Sequence, residues 1–392
     1  MDRKFINFAV MLLAFGVGLA FAGFSFFGGD VHPVEVPEEP PVVETRADGG
    51  QTLEMVFVLD TTGSMGGLLD AAKQKIWGIV NDVMQKQSRP SVRVGLVAYR
   101  DNGDAYVTQI VPVTSDLDTV YTSLMEFQAG GGGDSPENVR RALAEGVRKA
   151  GWSEAKGGVA QVIFLVGDAP PQNYQSEPDV LVTAAEAVRK NMIVNTIQCG
   201  NDAGAREAWQ QIARAGQGKY FAIAQDGGVE TINTPYDERL SQLGREIGGT
   251  YMAYGESESQ AARTRSVAAT ETAMANSASN TARADRALNK ALNKEGYVDD
   301  FIQDLEKGKT RLQDVKVENL PAPLQKMPEA ERSKEVEKRI AERKKIRDEI
   351  LSLSKQRDAF IAAERKRSGK GGGFDSAVQT ALGEQLAKRG IK

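Results

Sequence analysis

Cysteine and histidine are nearly missing from this chain, whose 392 residues hold one of each, Cys199 and His32. A single thiol excludes an intramolecular disulfide. A single histidine, beside Pro33 in a proline-rich stretch, excludes a histidine-dependent triad or a histidine zinc centre in the folded body. Cys199 closes the apolar run Met192-Ile193-Val194-Asn195-Thr196-Ile197-Gln198 and reads as a small buried core residue rather than a nucleophile. Basic residues are not in excess either: a formal charge of −4 and a pI near 5.5 argue against a dedicated nucleic-acid binder. No internal repeat is present. The glycines at 130–133 lack the Gly-Lys-Ser/Thr that would follow in a phosphate-cradling loop. What remains, 41% hydrophobic and 26% charged, is enough for a real core and more than one domain.

Long apolar runs are absent too, with one exception. Arg3-Lys4 precedes residues 5–27, which are uncharged, with Asn7 and Ser25 as their polar members. Such a run is long enough to span a bilayer as a helix. Ala20-Phe21-Ala22 also resembles a signal-peptidase site, which would leave Gly23 as the first residue of a secreted form. The uncleaved anchor is preferred, because cleavage would expose Gly23-Phe24-Ser25-Phe26-Phe27. Both readings display the remainder outside the cytoplasmic membrane, in a periplasm or at a cell surface. Residues 1–29 are thus read as transmembrane anchor or signal peptide, and the Pro- and Glu-rich residues 30–50 as an extended spacer.

The body is organised around Met55-Val56-Phe57-Val58-Leu59-Asp60-Thr61-Thr62-Gly63-Ser64-Met65-Gly66. The unbroken apolar run predicts a buried parallel strand, and Ile76, Trp77, Val80 and Val83 mark a helix after it. Ligands of open α/β sheets bind at the carboxyl ends of strands, where this polar loop sits. Asp60, Thr62 and Ser64 stand at alternate positions, so their oxygens can converge on one point. Oxygen-only donors suit a hard cation: Mg²⁺ first, with Mn²⁺ or Ca²⁺ as alternatives. The plainer reading of hydroxyls before a helix is an N-cap. On this stretch alone, the cap is the safer reading.

Two further stretches shift the balance. Gly130-Gly131-Gly132-Gly133-Asp134-Ser135-Pro136-Glu137 is a glycine loop before a helix, and Gln161-Val162-Ile163-Phe164-Leu165-Val166-Gly167-Asp168-Ala169-Pro170-Pro171 is a second buried strand ending in a carboxylate. With "DTTGSM", "GGGDSPE" and "VGDAPP" in this order, residues 51–255 resemble the von Willebrand factor type A family. The resemblance implies a metal-ion-dependent adhesion site. Carried over position by position, its metal ligands are Asp60, Thr62, Ser64, Ser135 and Asp168, with Ser135 where the family usually has threonine and Thr62 where it commonly has serine. Asp101, after the strand at 91–99, either lines the same edge or is an ordinary turn carboxylate.

Strand and helix patterns alternate through the body: helices at 116–127, 136–150, 178–190, 203–215 and 235–247, and strands at 106–113, 161–167, 192–198, 219–224 and 250–254. This predicts an α/β fold, a doubly wound and mostly parallel sheet, followed by a mainly helical region at 256–392. Within that region, 257–291 reads as a thin helix with little to bury, and 297–317 as a further helix. A long segment at 329–367 carries a coiled-coil-like seam of Ile346, Ile350, Leu353 and Phe360, interrupted by Arg357. Three surfaces could receive the seam: the helix at 301–312, which is the expected one, a second copy in a parallel homodimer as the runner-up, or the α/β domain; the oligomeric state stays open. Its basic clusters read as a solvated face. Gly369 to Gly373 reads as a hinge before a last helix.

The resemblance implies a non-enzymatic, metal-dependent adhesion or scaffolding module. Its partner would be a protein presenting an acidic residue to the metal, with the membrane contacted through the amino terminus and no nucleic acid bound. Two rivals remain. A metal-assisted hydrolase would need Glu137 or Asp134 as its base, and a metal-free scaffold for the helical tail would bind no cation.

Overall fold

The computed structural model describes residues 51–391 except 87, 134–136, 155–157, 294, 369–372 and 389–390. The anchor or signal peptide read at 1–29 and the spacer read at 30–50 lie outside the described residues, as do Asp134, Ser135 and most of the hinge. Among the described residues no helix is long and apolar enough to cross a membrane.

Strand β1 (Thr52–Asp60) is buried from Leu53 to its end and lies at the centre of the sheet. It is flanked in parallel by β2 (Ser91–Tyr99) and β4 (Val159–Gly167). The order is β3-β2-β1-β4-β5-β6, with β3 (Thr108–Thr114) antiparallel at one edge and β5 (Met192–Cys199) and β6 (Gln217–Ile223) completing the other side. Pro112 sits on the edge strand, where a missing N–H is tolerated. The order runs outward in both directions from β1. A crevice therefore opens where the chain leaves β1 and β4, the place an open α/β sheet offers to ligands.

Alternate residues of β1 feed two cores. Leu53, Met55, Phe57 and Leu59 face α1 (Gly66–Met84) and α2 (Leu117–Glu126). Val56 and Val58 face α3 (Val139–Arg148), α4 (Val180–Arg189) and α5 (Ala203–Ala215). Helix α6 (Asp237–Gly249) precedes α7 (Ser257–Ser277), α8 (Asn280–Leu292), α9 (Phe301–Glu306), α10 (Ala322–Gln325), the 40-residue α11 (Glu329–Ser368) and α12 (Phe374–Lys388). The predicted doubly wound, mostly parallel sheet followed by a helical region is therefore the fold observed.

Several boundaries differ from the periodicity. Helix α3 begins at Val139, capped by Asn138, because Glu137 is drawn into a backbone bridge with Pro171. Residues 250–254 make no strand; Ala253 forms an isolated bridge to Asp300. The helix expected over 297–317 spans only Phe301–Glu306, ended by Gly308 at φ +69°. The segment expected to bury little is two helices, and α8 is wedged against α6. Ala284, Ala287, Leu288 and Ala291 pack there on Leu240, Leu243 and Ile247.

The long seam also lands elsewhere than expected. Ile346 and Ile350 of α11 join the α6–α8 cluster, while only the earlier Val336 and Ile340 reach Phe301 and Ile302 of α9. Arg357 does not interrupt the packing. Buried, it donates to Asp237 of α6 at 2.6 Å and to Asp285 of α8 at 2.6 Å. On the α1 side of the sheet, α12 lays Phe374 against Phe57, ring centroids 5.9 Å apart, and buries Val378, Leu382 and Leu386. Gln385 of α12 exchanges two hydrogen bonds with buried Asn195 of β5, at 3.1 and 2.7 Å.

Candidate metal centre

Asp60 ends β1 fully buried, so its carboxylate is set by the strand rather than by a loop. The next residue locks the exit. Thr61 donates from its backbone N–H to the Tyr99 carbonyl at 2.9 Å, and its hydroxyl bonds that carbonyl at 2.9 Å and the Tyr106 hydroxyl at 2.7 Å. Thr62 then turns back. Its N–H (2.8 Å) and its hydroxyl (2.7 Å) both donate to Oδ1 of Asp60. The hydroxyl lies 3.5 Å from that of Ser64, which is exposed. This decides against the N-cap reading: the Thr62 side chain caps neither the short 3-10 turn Gly63–Met65 nor α1, whose own N-cap is Met65.

The other oxygen of Asp60, Oδ2, is buried without a hydrogen-bond partner. Gly167, at the end of β4, makes room for it: a Cβ there would meet this oxygen at 3.1 Å and the Tyr99 hydroxyl at 2.4 Å. Burial pushes the Asp60 carboxyl up to about 7, against the two Thr62 hydrogen bonds and, more weakly, the nearby Tyr99 hydroxyl, and with a smaller push from Asp168. An ionised carboxylate with one oxygen unserved carries a desolvation penalty that a cation would relieve.

Asp168 follows Gly167 on the third loop, half-buried, and accepts from Nε2 of Gln225 on Oδ2 at 2.6 Å. The loop is held by the Trp209 indole, which donates to the Ala169 carbonyl at 3.1 Å. The glycine loop is pinned to the first loop by Gly130 N–H to the Thr61 carbonyl (3.1 Å) and Gly63 N–H to the Gly131 carbonyl (3.2 Å). Asp60, Thr62, Ser64 and Asp168 are thus gathered at one sheet edge. Ser135, the second-loop hydroxyl implied by the resemblance, lies outside the described residues.

Two participants are not among the ligands read from the sequence, although Glu137 is named there as the base of the rival hydrolase. Glu137 is buried, with Oε2 unpartnered, and its carboxyl is pushed up to about 8 by burial first and then by Asp60, Asp101, Asp104 and Asp168. Its place at the end of "GGGDSPE" was the available signal, but the periodicity put it inside the following helix. Gln225 lies 57 residues from Asp168 and had no local signal at all. Asp101 is buried near this edge, accepting from the Tyr174 hydroxyl at 2.7 Å. Cys199 is a buried thiol pushed well up by burial, as expected of a core residue.

The donor set fits a hard dication in kind: carboxylates and hydroxyls, with one buried oxygen lacking a donor. Among the described residues, however, no three Asp, Glu, His or Cys side chains close into a ready cage. A cation here would depend on the Thr62 and Ser64 hydroxyls and on outside oxygens.

Residues 54–235 match the family model described as "von Willebrand factor A domain". The chain is similar to the von Willebrand factor A domain-containing protein 7 of rat, 44% identical over 89 residues, covering 22% of this chain and 9% of that protein. The human protein of the same name is 41% identical over 87 residues, again 22% and 9%. The matches therefore span less than a tenth of these relatives' own length. Among solved structures, the SpRpn10 VWA domain aligns with a TM-score of 0.34 and 14% identity, over 45% of this chain and 88% of that one. Proximal thread matrix protein 1 from the mussel byssus aligns with a TM-score of 0.33 and 11% identity, over 45% and 43%.

Proposed function

Taking residues 54–235 as a von Willebrand factor A domain, we propose that this chain is a divalent-cation-dependent protein-binding module without enzymatic activity. The observation that carries the proposal is the unpartnered Oδ2 of Asp60, buried beside two hydroxyls and a second carboxylate. Asp60, Thr62, Ser64 and Asp168 would hold the ion, Mg²⁺ by preference, with Ser135 as the implied second-loop donor. When bound, the ion supplies a positive centre for a partner's oxygen ligand. The chain's own residues do the rest. Thr62 fixes Asp60 by two hydrogen bonds, Gln225 orients Asp168, and Gly167 keeps the space beside Asp60 open. The apolar run at 5–27 supports display outside a membrane. A metal-assisted hydrolase is the second reading, favoured by one observation: the raised carboxyl of Glu137, suited to proton transfer near neutral pH.

Mg²⁺ or Mn²⁺ should raise the melting temperature of the full chain, by on the order of 2–3 kcal/mol of stability at a hundredfold excess over the dissociation constant. Asp60→Ala should abolish the shift while the metal-free fold persists, since the substitution removes a buried carboxylate. A shift unchanged in that variant would place the ion elsewhere. Turnover of generic phosphoesters that is lost in Glu137→Gln would establish the hydrolase instead.

A further inference from the structure

Gln225 is exposed, yet its amide is closely placed. Its Nε2 donates to Oδ2 of Asp168 at 2.6 Å and lies 3.4 Å from the Ser64 carbonyl oxygen and 3.9 Å from Sδ of Met65. One amide nitrogen thus bridges the first and third loops, between residues proposed to hold the ion. Its Oε1 lies beside Gly200, at φ +74°, where a Cβ would come within 2.3 Å of that oxygen. Glycine at 200 leaves the amide its place.

The backbone beneath this side chain has little freedom. A Cβ on Gly67 would come within 2.7 Å of the Asp226 Cα, and one on Gly227, at φ +82°, within 2.7 Å of the Ala71 Cβ. Residues 226 and 227 therefore lie directly on the start of α1. Asp226 Oδ1 accepts from the Gly228 N–H at 3.0 Å, and Gly227 donates to the Ala224 carbonyl and accepts from the Phe374 N–H, both at 2.9 Å. What can turn is the exposed Gln225 side chain, about its own bonds.

An amide N–H and a dication seek the same oxygens and cannot share them, because the amide hydrogens carry partial positive charge and would point at the ion. The hydrogen bond that orients Asp168 also occupies it, and a bond to a carboxylate is of the stronger kind. We propose that Gln225 is a lock on the cation site, an internal competitor whose amide nitrogen holds Asp168 until an incoming dication displaces it by rotation of the side chain alone. This rests on the reading that Asp60 and its neighbours hold the ion. The lock weakens every cation by the same factor, so it sets the concentration at which the site loads rather than which ion enters.

The test uses the full chain and Mn²⁺, with binding followed by water-proton relaxation. Gln225→Ala removes the lock, and Gln225→Met keeps most of the side chain's length without its N–H donors. Both should bind Mn²⁺ roughly tenfold more tightly, as expected when a hydrogen bond to a charged group no longer competes. A gain of affinity cannot come from a folding defect, and equal gains assign it to the hydrogen bond rather than to bulk over the site. Mn²⁺ affinity unchanged or weakened in both variants would overturn the lock, and so would a gain in Gln225→Ala alone, which would make the side chain a steric cover. If Asp60→Ala binds Mn²⁺ as the parent does, the site reading itself fails and the lock with it. If Asp60→Ala loses Mn²⁺ while both Gln225 variants match the parent, the lock alone fails.

Discussion

At the scale of single residues, the unusual group is Asp60, an acid held fully out of water at the end of the central strand. Its carboxyl sits at about 7 in the folded protein against an ordinary 3.8. The folded state therefore keeps a proton that the unfolded chain releases. Below about pH 4 the group adds nothing against folding; as pH rises toward 7, the folded protein loses stability, and above that the loss is complete. The ceiling on this loss is on the order of 4 kcal/mol. With chelator present, the melting temperature should fall between pH 5 and pH 8, and the fall should be smaller in Asp60→Asn. Saturating Mg²⁺ should flatten it in the parent, because the ion binds the ionised form. An Asp60→Asn profile parallel to the parent's would show that the acid is not strained.

At the scale of elements, the sheet and its site loops were the legible part. β1 and β4 are unbroken apolar runs ending in Asp60 and Asp168, and the oxygen donors at alternate positions after β1 could be read directly. The misses share a cause: periodicity reports a buried stripe but not what covers it. Ile346 and Ile350 announced a packing face, yet the sequence could not say that α6 and α8 would receive it. Alanines 284, 287 and 291 looked like poor core material, whereas small side chains are what let α8 wedge against its neighbour. Charged residues misled most. Arg357 breaks an apolar stripe on paper, but in the fold it ties α11 to Asp237 and Asp285. Arg357→Leu, which a purely apolar seam would welcome, should destabilise the protein by about 3–5 kcal/mol, because it strands two buried carboxylates. Urea unfolding measures this, and a neutral result would mean the ion pairs contribute no net stability.

At the scale of the whole molecule, the helical region after residue 255 is not an appendage. The described residues belong to one compact unit, and α12 supplies Phe374, Val378, Leu382 and Leu386 to the same core as β1 and α1. Leu382→Asp should therefore unfold or loosen the sheet itself, lowering the melting temperature and opening β5 and β6 to proteases. Intact protease resistance would mean that α12 is dispensable. In urea unfolding, Gln385→Leu should cost about 1–3 kcal/mol by leaving the Asn195 Nδ2 donor without an acceptor in the interior, while its oxygen keeps the Lys219 N–H. That amide pair joins residues 190 positions apart, which bears on how the protein is made. A ribosome delivers β5 long before α12, so one face of a finished-looking sheet must wait, greasy and uncovered, while α6 to α11 are still being synthesised. During that interval any passing apolar helix could settle there. The reciprocal amides act as a password: a helix lacking glutamine at the right turn would bury the Asn195 Nδ2 group unanswered, its oxygen keeping only the Lys219 N–H, whereas Gln385 answers both ends.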